Sequence, residues 1–226
     1  DPLLVKAVQS VVAAKLAASN KLHLGEEDLS RLLSVPENSG LILAFNHADE
    51  TDPLICLELS RLTGRSFISM CNREAFDEMA GAAGWFLQRL GYFSVERGAH
   101  DAPAKNYAVE IVKDGKDALI IFPEGEIFYL NERVQKFHSG AIEIGMQALI
   151  AARSGKPEWQ NYILPVAIKY HYLEDLSHIL RRRIERMETR LALPRPQADL
   201  PLDERLYKIQ SVLLQRARKK YKLTSS

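Results

Sequence analysis

The sequence is poor in cysteine, almost balanced in charge and free of long hydrophobic runs. Its two cysteines, Cys56 and Cys71, lie in or beside apolar stretches. They fit reduced core thiols in a cytosolic compartment better than a disulfide. Thirty Lys and Arg against 29 Asp and Glu give a net charge of +1, so no global charge argues for nucleic acid as a partner. No uninterrupted apolar run is long enough to span a bilayer. No internal repeat or low-complexity segment is present. The chain begins at Asp1 rather than at a methionine, which leaves an upstream anchor or targeting segment open. What remains is a 226-residue chain, long enough for one substantial core with small helical additions.

Strongly apolar strands alternate with helices. The strand candidates are Leu41–Phe45, Phe67–Met70, Tyr92–Val95, Ala118–Phe122 and Tyr162–Tyr170, the last with Pro165 inside it and therefore at an edge or a bulge. Helices are expected over Pro2–Ala18, from Asp52 to about Leu62, from Asn72 to about Leu90, from about Pro103, and over Gly140–Ala152. This pattern predicts an α/β fold: a single domain with a largely parallel central sheet flanked by helices, plus N-terminal and C-terminal helical segments. The regions are 1–40, 41–170 and 171–226. Pro2–Ala18 is amphipathic and reads as a helix packed on the domain, with a membrane-interface helix as the second reading. In the final helix, Leu202, Leu206, Ile209 and Leu213 are expected to form the apolar face. Arg181, Arg182, Arg183 and Arg186, then Arg216, Arg218, Lys219, Lys220 and Lys222, form basic clusters. Such clusters are usually solvated helix faces, and a membrane-surface role is the minority reading.

In parallel sheets, loops beyond the carboxyl ends of strands line the binding crevice. The loop after the first strand carries Asn46-His47-x4-Asp52, with Pro53 suited to the first helical turn. A histidine can take and return a proton near neutral pH. A neighbouring carboxylate can hold its tautomer and stabilise its charged form. The plainer readings are a solvated histidine and an aspartate that caps its helix. Other loops add Asn72-Arg73, Glu96-Arg97 and Pro123-Glu124-Gly125, so a base, cations and a glycine turn converge at one end of the sheet.

Four segments occur in order: Asn46-His47-x4-Asp52, Gly91-x3-Val95-x-Arg97, Phe122-Pro123-Glu124-Gly125 and Leu164-Pro165-Val166. The pattern resembles that of the glycerolipid acyltransferases, the PlsC-like 1-acylglycerol-3-phosphate acyltransferases, over roughly residues 41–168. The resemblance makes 41–170 an acyltransferase core. It implies transfer of a fatty acyl group from an acyl thioester, acyl-CoA or acyl-ACP, to a lipid hydroxyl, first 1-acylglycerol-3-phosphate, in phospholipid biosynthesis. By position, His47 is the general base and Asp52 its orienting partner. Asn46, Arg97, Glu124 and Gly125 contribute to substrate binding, Arg97 to the acceptor phosphate. No metal and no cofactor are implied beyond the thioester co-substrate. The implied partners are that donor, a lysophospholipid or other lipid acceptor and a membrane surface, with no nucleic acid. The implied location is cytoplasmic, peripheral at the inner face of a membrane.

Departures from the family pattern bear on the acceptor. Asp49 stands where serine is common. Glu126-Ile127-Phe128 replaces Thr-x-Ser, and Phe137-His138-Ser139-Gly140 replaces a segment with paired lysines. Arg73, Asn131, Arg133 and His138 read as ordinary surface or structural residues. The competing functions are acyl transfer to a non-phosphate hydroxyl, a metal-dependent hydrolase using His47, Asp49, Glu50 and Asp52, and a non-catalytic lipid-binding module.

Overall fold

A computed structural model describes residues 1–19, 21–96, 101–194 and 200–222. The elements, in order, are α1 (Pro2–Ser19), α2 (Glu26–Leu33), β1 (Gly40–Phe45), α3 (Asp52–Thr63), β2 (Phe67–Asn72), α4 (Arg73–Asp77), a 3-10 turn (Glu78–Gly81), α5 (Ala82–Arg89), β3 (Tyr92–Val95), α6 (Ala102–Asp114), β4 (Ala118–Ile121), α7 (Gly140–Arg153), β5 (Asn161–Val166), α8 (Ser177–Arg190) and α9 (Leu202–Tyr221). The chain forms two compact units, Asp1–Lys169 and the helical part from Tyr170 on.

In the first unit the described strands make one sheet in the order β3-β2-β4-β1-β5, and every pairing is parallel. The α/β architecture expected from the alternation is therefore present. β1 and β4 occupy the interior of the sheet and are buried along their whole length. That is why both read as continuous apolar runs rather than alternating ones. Ile42, Leu119 and Ile121 face α6 and α7, where they pack with Ala108, Val112, Ala141, Ile144 and Ala148. A fully buried aliphatic side chain of this kind stabilises the fold by about 1.5–3 kcal/mol.

α1 packs by Val12 and Leu16, and its buried Gln9 donates to Ser60 Oγ of α3 at 3.2 Å. Val12 and Leu16 of the expected stripe are thus packed on the domain, while Val11 is exposed.

β5 pairs only with β1, so it is an edge strand, as Pro165 suggests. The carbonyls of Gln160 and Val166 accept from Gly40 N and Asn46 N. Strand alternation then aims the Pro165 nitrogen away from β1, where its missing N–H removes no ladder bond.

Two expectations are corrected. The single helix expected from Asn72 to Leu90 is broken into α4, the 3-10 turn and α5. Met79 and Gly81 take φ of 52° and 86°, a left-handed geometry that a continuous helix excludes. In α9 the buried positions are Arg205 and Ile209. Leu206 and Leu213, expected on the packed face, are exposed.

The second unit pairs α8 with α9. Ile184 and Ile209 are buried there, and Arg205 Nε and Nη2 donate to the two carboxylate oxygens of Glu188 at 2.9 and 2.7 Å. Those hydrogen bonds, ahead of the Arg205 charge, hold the Glu188 carboxyl below its ordinary range despite partial desolvation.

Candidate active site

Because β1 and β4 are neighbours with Ala44 opposite Ile121, the loops that leave their carboxyl ends start side by side. His47 lies two residues beyond β1, and Phe122 immediately follows β4. Their rings stack, with centroids 4.1 Å apart and planes 26° from parallel. The Phe122 face therefore fixes one side of the imidazole.

The opposite constraint comes from α3. His47 Nδ1 lies 2.8 Å from Asp52 Oδ2. The same oxygen accepts the backbone N–H groups of Ala48 at 2.8 Å and Asp49 at 3.1 Å. The Asp52 side chain is fully buried, and the His47 side chain is 11% exposed. Through these bonds Asp52 reaches back into the preceding loop, and the N-cap position of α3 is held by Thr51. A carboxylate held by two backbone donors and bonded to Nδ1 selects the tautomer with the proton on Nδ1. That leaves Nε2 with a free lone pair, and Nε2 has no partner among the described residues.

Glu124 is buried, and both its oxygens are taken. Oε1 accepts the backbone N–H of His47 at 2.9 Å, and Oε2 accepts that of Gln135 at 3.1 Å. It ties the His47 loop to the long segment after β4. A second tie is made by Tyr129, whose hydroxyl donates to Glu50 Oε1 at 2.6 Å. That hydrogen bond, with lesser desolvation and charge effects, raises the Tyr129 phenol above its ordinary range. His138 N closes the segment onto Pro123 O at 2.8 Å.

Gly125 has φ +77°, and a Cβ there would stand 3.3 Å from His138 Cδ2. Its N–H donates to Phe122 O at 3.0 Å. A glycine is needed here for the turn itself.

Asn46 is buried, with both ends of its amide on the backbone of Ile168. Nδ2 donates to Ile168 O at 2.9 Å, and Oδ1 accepts from Ile168 N at 2.6 Å. It extends the β1–β5 ladder by one step and so sets the start of the His47 loop.

Arg97 lies outside the described residues. Among the described residues that flank it in sequence, Asp101 accepts from Glu96 N and Ala104 N. Those bonds, Glu96 first, hold its carboxyl below the ordinary range, and the Arg73 charge adds to this.

Of the expected site residues, His47, Asp52 and Glu124 are thus linked by hydrogen bonds into one cluster; Asn46 precedes His47 in the chain and is bonded to Ile168 instead, and Gly125 follows Glu124. Phe122, Gln135 and Tyr129 are the contributors that sequence reasoning gave no role. Phe122 was within reach of it, as the first residue of the Phe-Pro-Glu-Gly motif. The acidic groups around His47 have other engagements: Asp49 accepts from Thr51 and Glu50 from Tyr129. Among the described residues no three His, Cys, Asp or Glu side chains are grouped to hold a metal ion. Nor is any helix among them long and apolar enough to cross a membrane.

A parallel α/β sheet that presents a carboxylate-oriented imidazole at its carboxyl edge is equipped for acid–base chemistry. The family follows from comparison: residues 26–169 match the family model for acyltransferases, and the chain belongs to that family. The family contains the PlsC-like glycerolipid acyltransferases that the four motifs resemble. No curated protein matches the chain.

Proposed function

We propose that this acyltransferase moves a fatty acyl group from an acyl thioester, on coenzyme A or acyl carrier protein, to a lipid hydroxyl. The observation that carries the mechanism is the 2.8 Å contact between His47 Nδ1 and buried Asp52 Oδ2. With Nδ1 so engaged, Nε2 accepts the proton of the acceptor hydroxyl as its oxygen attacks the thioester carbonyl. The C–O bond forms, the tetrahedral intermediate collapses, and the C–S bond breaks. The proton held at Nε2 passes to the departing thiolate, so the products are an ester and a free thiol. Asp52 stabilises the imidazolium between these transfers. Direct attack by the acceptor calls for no nucleophilic serine or cysteine, no metal and no cofactor.

Glu124, Asn46 and Phe122 are positioning residues in this reading. Glu124 and Asn46 spend their polar atoms on backbone groups, and Phe122 supports the ring. Gly125 shapes the acceptor side through its turn. The first acceptor is 1-acylglycerol-3-phosphate, as in phospholipid biosynthesis, with Arg97 bound to the phosphate through paired hydrogen bonds. The reaction belongs at the cytoplasmic face of a membrane, to which the protein is peripheral.

The test is thiol release from an acyl-CoA in the presence of lysophosphatidic acid. His47→Ala is expected to abolish it while the protein still folds, as checked by circular dichroism. Asp52→Asn is expected to slow it by roughly ten- to ten-thousand-fold, as for other positioned acid–base pairs. Substantial turnover by folded His47→Ala removes the residue as the base. Preference for an uncharged hydroxyl acceptor removes the phosphate assignment and leaves the base intact.

A further inference from the structure

The net charge of +1 conceals a division within the chain. Residues 1–169 carry 17 Lys and Arg against 22 Asp and Glu, while residues 170–226 carry 13 against 7. The positive excess is concentrated on α8 and α9. Arg183, Arg186 and Arg190 recur at helical spacing on one face of α8, all exposed, and none pairs with a carboxylate among the described residues. On α9 the exposed cations are Lys208, Arg216, Arg218, Lys219 and Lys220, with Lys222 just past its end. Only Arg205 is turned inward, onto Glu188.

The second observation is what α9 exposes beside those cations. Tyr207, Leu214 and Tyr221 are spaced seven residues apart, so they share one face. They are 69%, 54% and 65% exposed. Leu206 and Leu213 form an adjoining row, also exposed. α9 therefore has two apolar faces. A narrow one, around Ile209, meets α8. A broader one looks outward, with Lys220 on one flank and Arg218 on the other.

We propose that the α8–α9 helix pair is a docking element for an anionic lipid surface. The outward Leu and Tyr row of α9 enters the interface, where tyrosine is suited to a boundary that is apolar below and wet above. The basic side chains extend along that boundary to headgroup phosphates. A nucleic acid uses the cations but not an aliphatic row. A second copy meeting this same face brings like charge to like charge. The first unit carries a negative excess, so the positive charge available to an anionic bilayer is on the helix pair.

The test is co-sedimentation of the full chain with phosphatidylcholine vesicles, pure or mixed with phosphatidylglycerol. Neither contains an acyl thioester or a lysophospholipid, so the outcome does not depend on acyl transfer. Binding to the mixed vesicles alone, weakening with added salt, is expected. Replacing Arg183, Arg186 and Arg190 together by Gln should lower the partition by about a hundred-fold, since each basic side chain at such a surface contributes roughly five-fold. Tyr207→Ser with Leu214→Ser should lower it at every salt concentration. All of these sites are exposed, and circular dichroism melting verifies that each variant is folded. Binding that is unchanged in both folded variants overturns the proposal. So does a single-stranded RNA homopolymer that displaces the vesicles and still binds the Tyr207→Ser, Leu214→Ser variant.

Discussion

The Glu124 carboxylate accepts the backbone N–H of His47 at 2.9 Å. The residues are 77 positions apart in sequence, yet one side chain fixes where the histidine's main chain begins its loop. Its second oxygen does the same for Gln135. The segment after β4 and the His47 loop after β1 are thereby locked to a common strut. Under the mechanism proposed above, a carboxylate with both oxygens so engaged would influence acyl transfer through the position of His47.

Glu124→Gln is expected to lower kcat by roughly ten- to a hundred-fold, the scale of a small displacement of a reacting group. A glutamine offers one acceptor oxygen where two are needed, so one backbone N–H loses its partner. The KM for the lipid acceptor should change little. A steady-state comparison checks the split: a large rise in acceptor KM at constant kcat places Glu124 against the acceptor instead.

Tyr129→Phe removes the hydroxyl that donates to Glu50. The bond is exposed, so overall stability should change by less than about 0.5 kcal/mol. The segment between Pro123 and His138 should become more open to protease in the absence of substrate. Limited proteolysis followed by mass spectrometry reads this directly. Equal cleavage rates in the two proteins show that the Glu124 tie alone holds the segment.

Cys56 is buried on α3, one turn past Asp52. Burial, with a smaller contribution from the Asp52 charge, raises its thiol far above the ordinary range. A thiol with so little thiolate reacts slowly. At pH 8 the native protein should leave Cys56 unmodified by iodoacetamide, and denaturant should expose it. Rapid labelling of Cys56 in the native state contradicts the packing of α3 on the sheet.

Glu188 gives a pH signature for the helical unit. Its carboxyl is held below the ordinary range by Arg205, so the native state binds its proton more weakly than the unfolded chain. The stabilisation is complete above the unfolded carboxylate range, about pH 4–5, and is lost as pH falls through the depressed native value. Glu188→Gln should lower stability by on the order of 1–3 kcal/mol at neutral pH. That gap should close as the pH is lowered below about 4. Denaturant titrations of both proteins from pH 7 to pH 3 check it. A gap that is constant over this range assigns the loss to packing.

Much of this arrangement was legible in the sequence, for definite reasons. β1 and β4 are buried on both faces, and their unbroken apolar runs said so. Pro165 announced an edge. His47 and Asp52 are close in sequence, so the short loop between them suffices to join them. Other features depended on partners distant in the chain. Nothing local to Glu124 indicates that its acceptors meet His47 and Gln135, because that follows from β4 inserting between β1 and β2. The break at Met79 and Gly81 was masked by flanking residues that favour helix. In α9 the row Leu202, Leu206, Ile209 and Leu213 obeys helical periodicity. The face that packs is chosen instead by Glu188, which draws Arg205 inward and turns Leu206 and Leu213 out. Arg97 falls outside the described residues.

Pro165 also governs what the sheet can join. A strand at an open edge offers its outward N–H groups to any extended chain, the usual route to stacking of one molecule on another. Here the last outward-facing position of β5 has no hydrogen to give. An incoming strand would find a gap in its ladder opposite that residue and a steric obstacle beside it. The same proline that costs the native fold nothing therefore protects it in concentrated solution. Replacing it by valine would leave the enzyme's own hydrogen bonds intact while making its β5 edge adhesive.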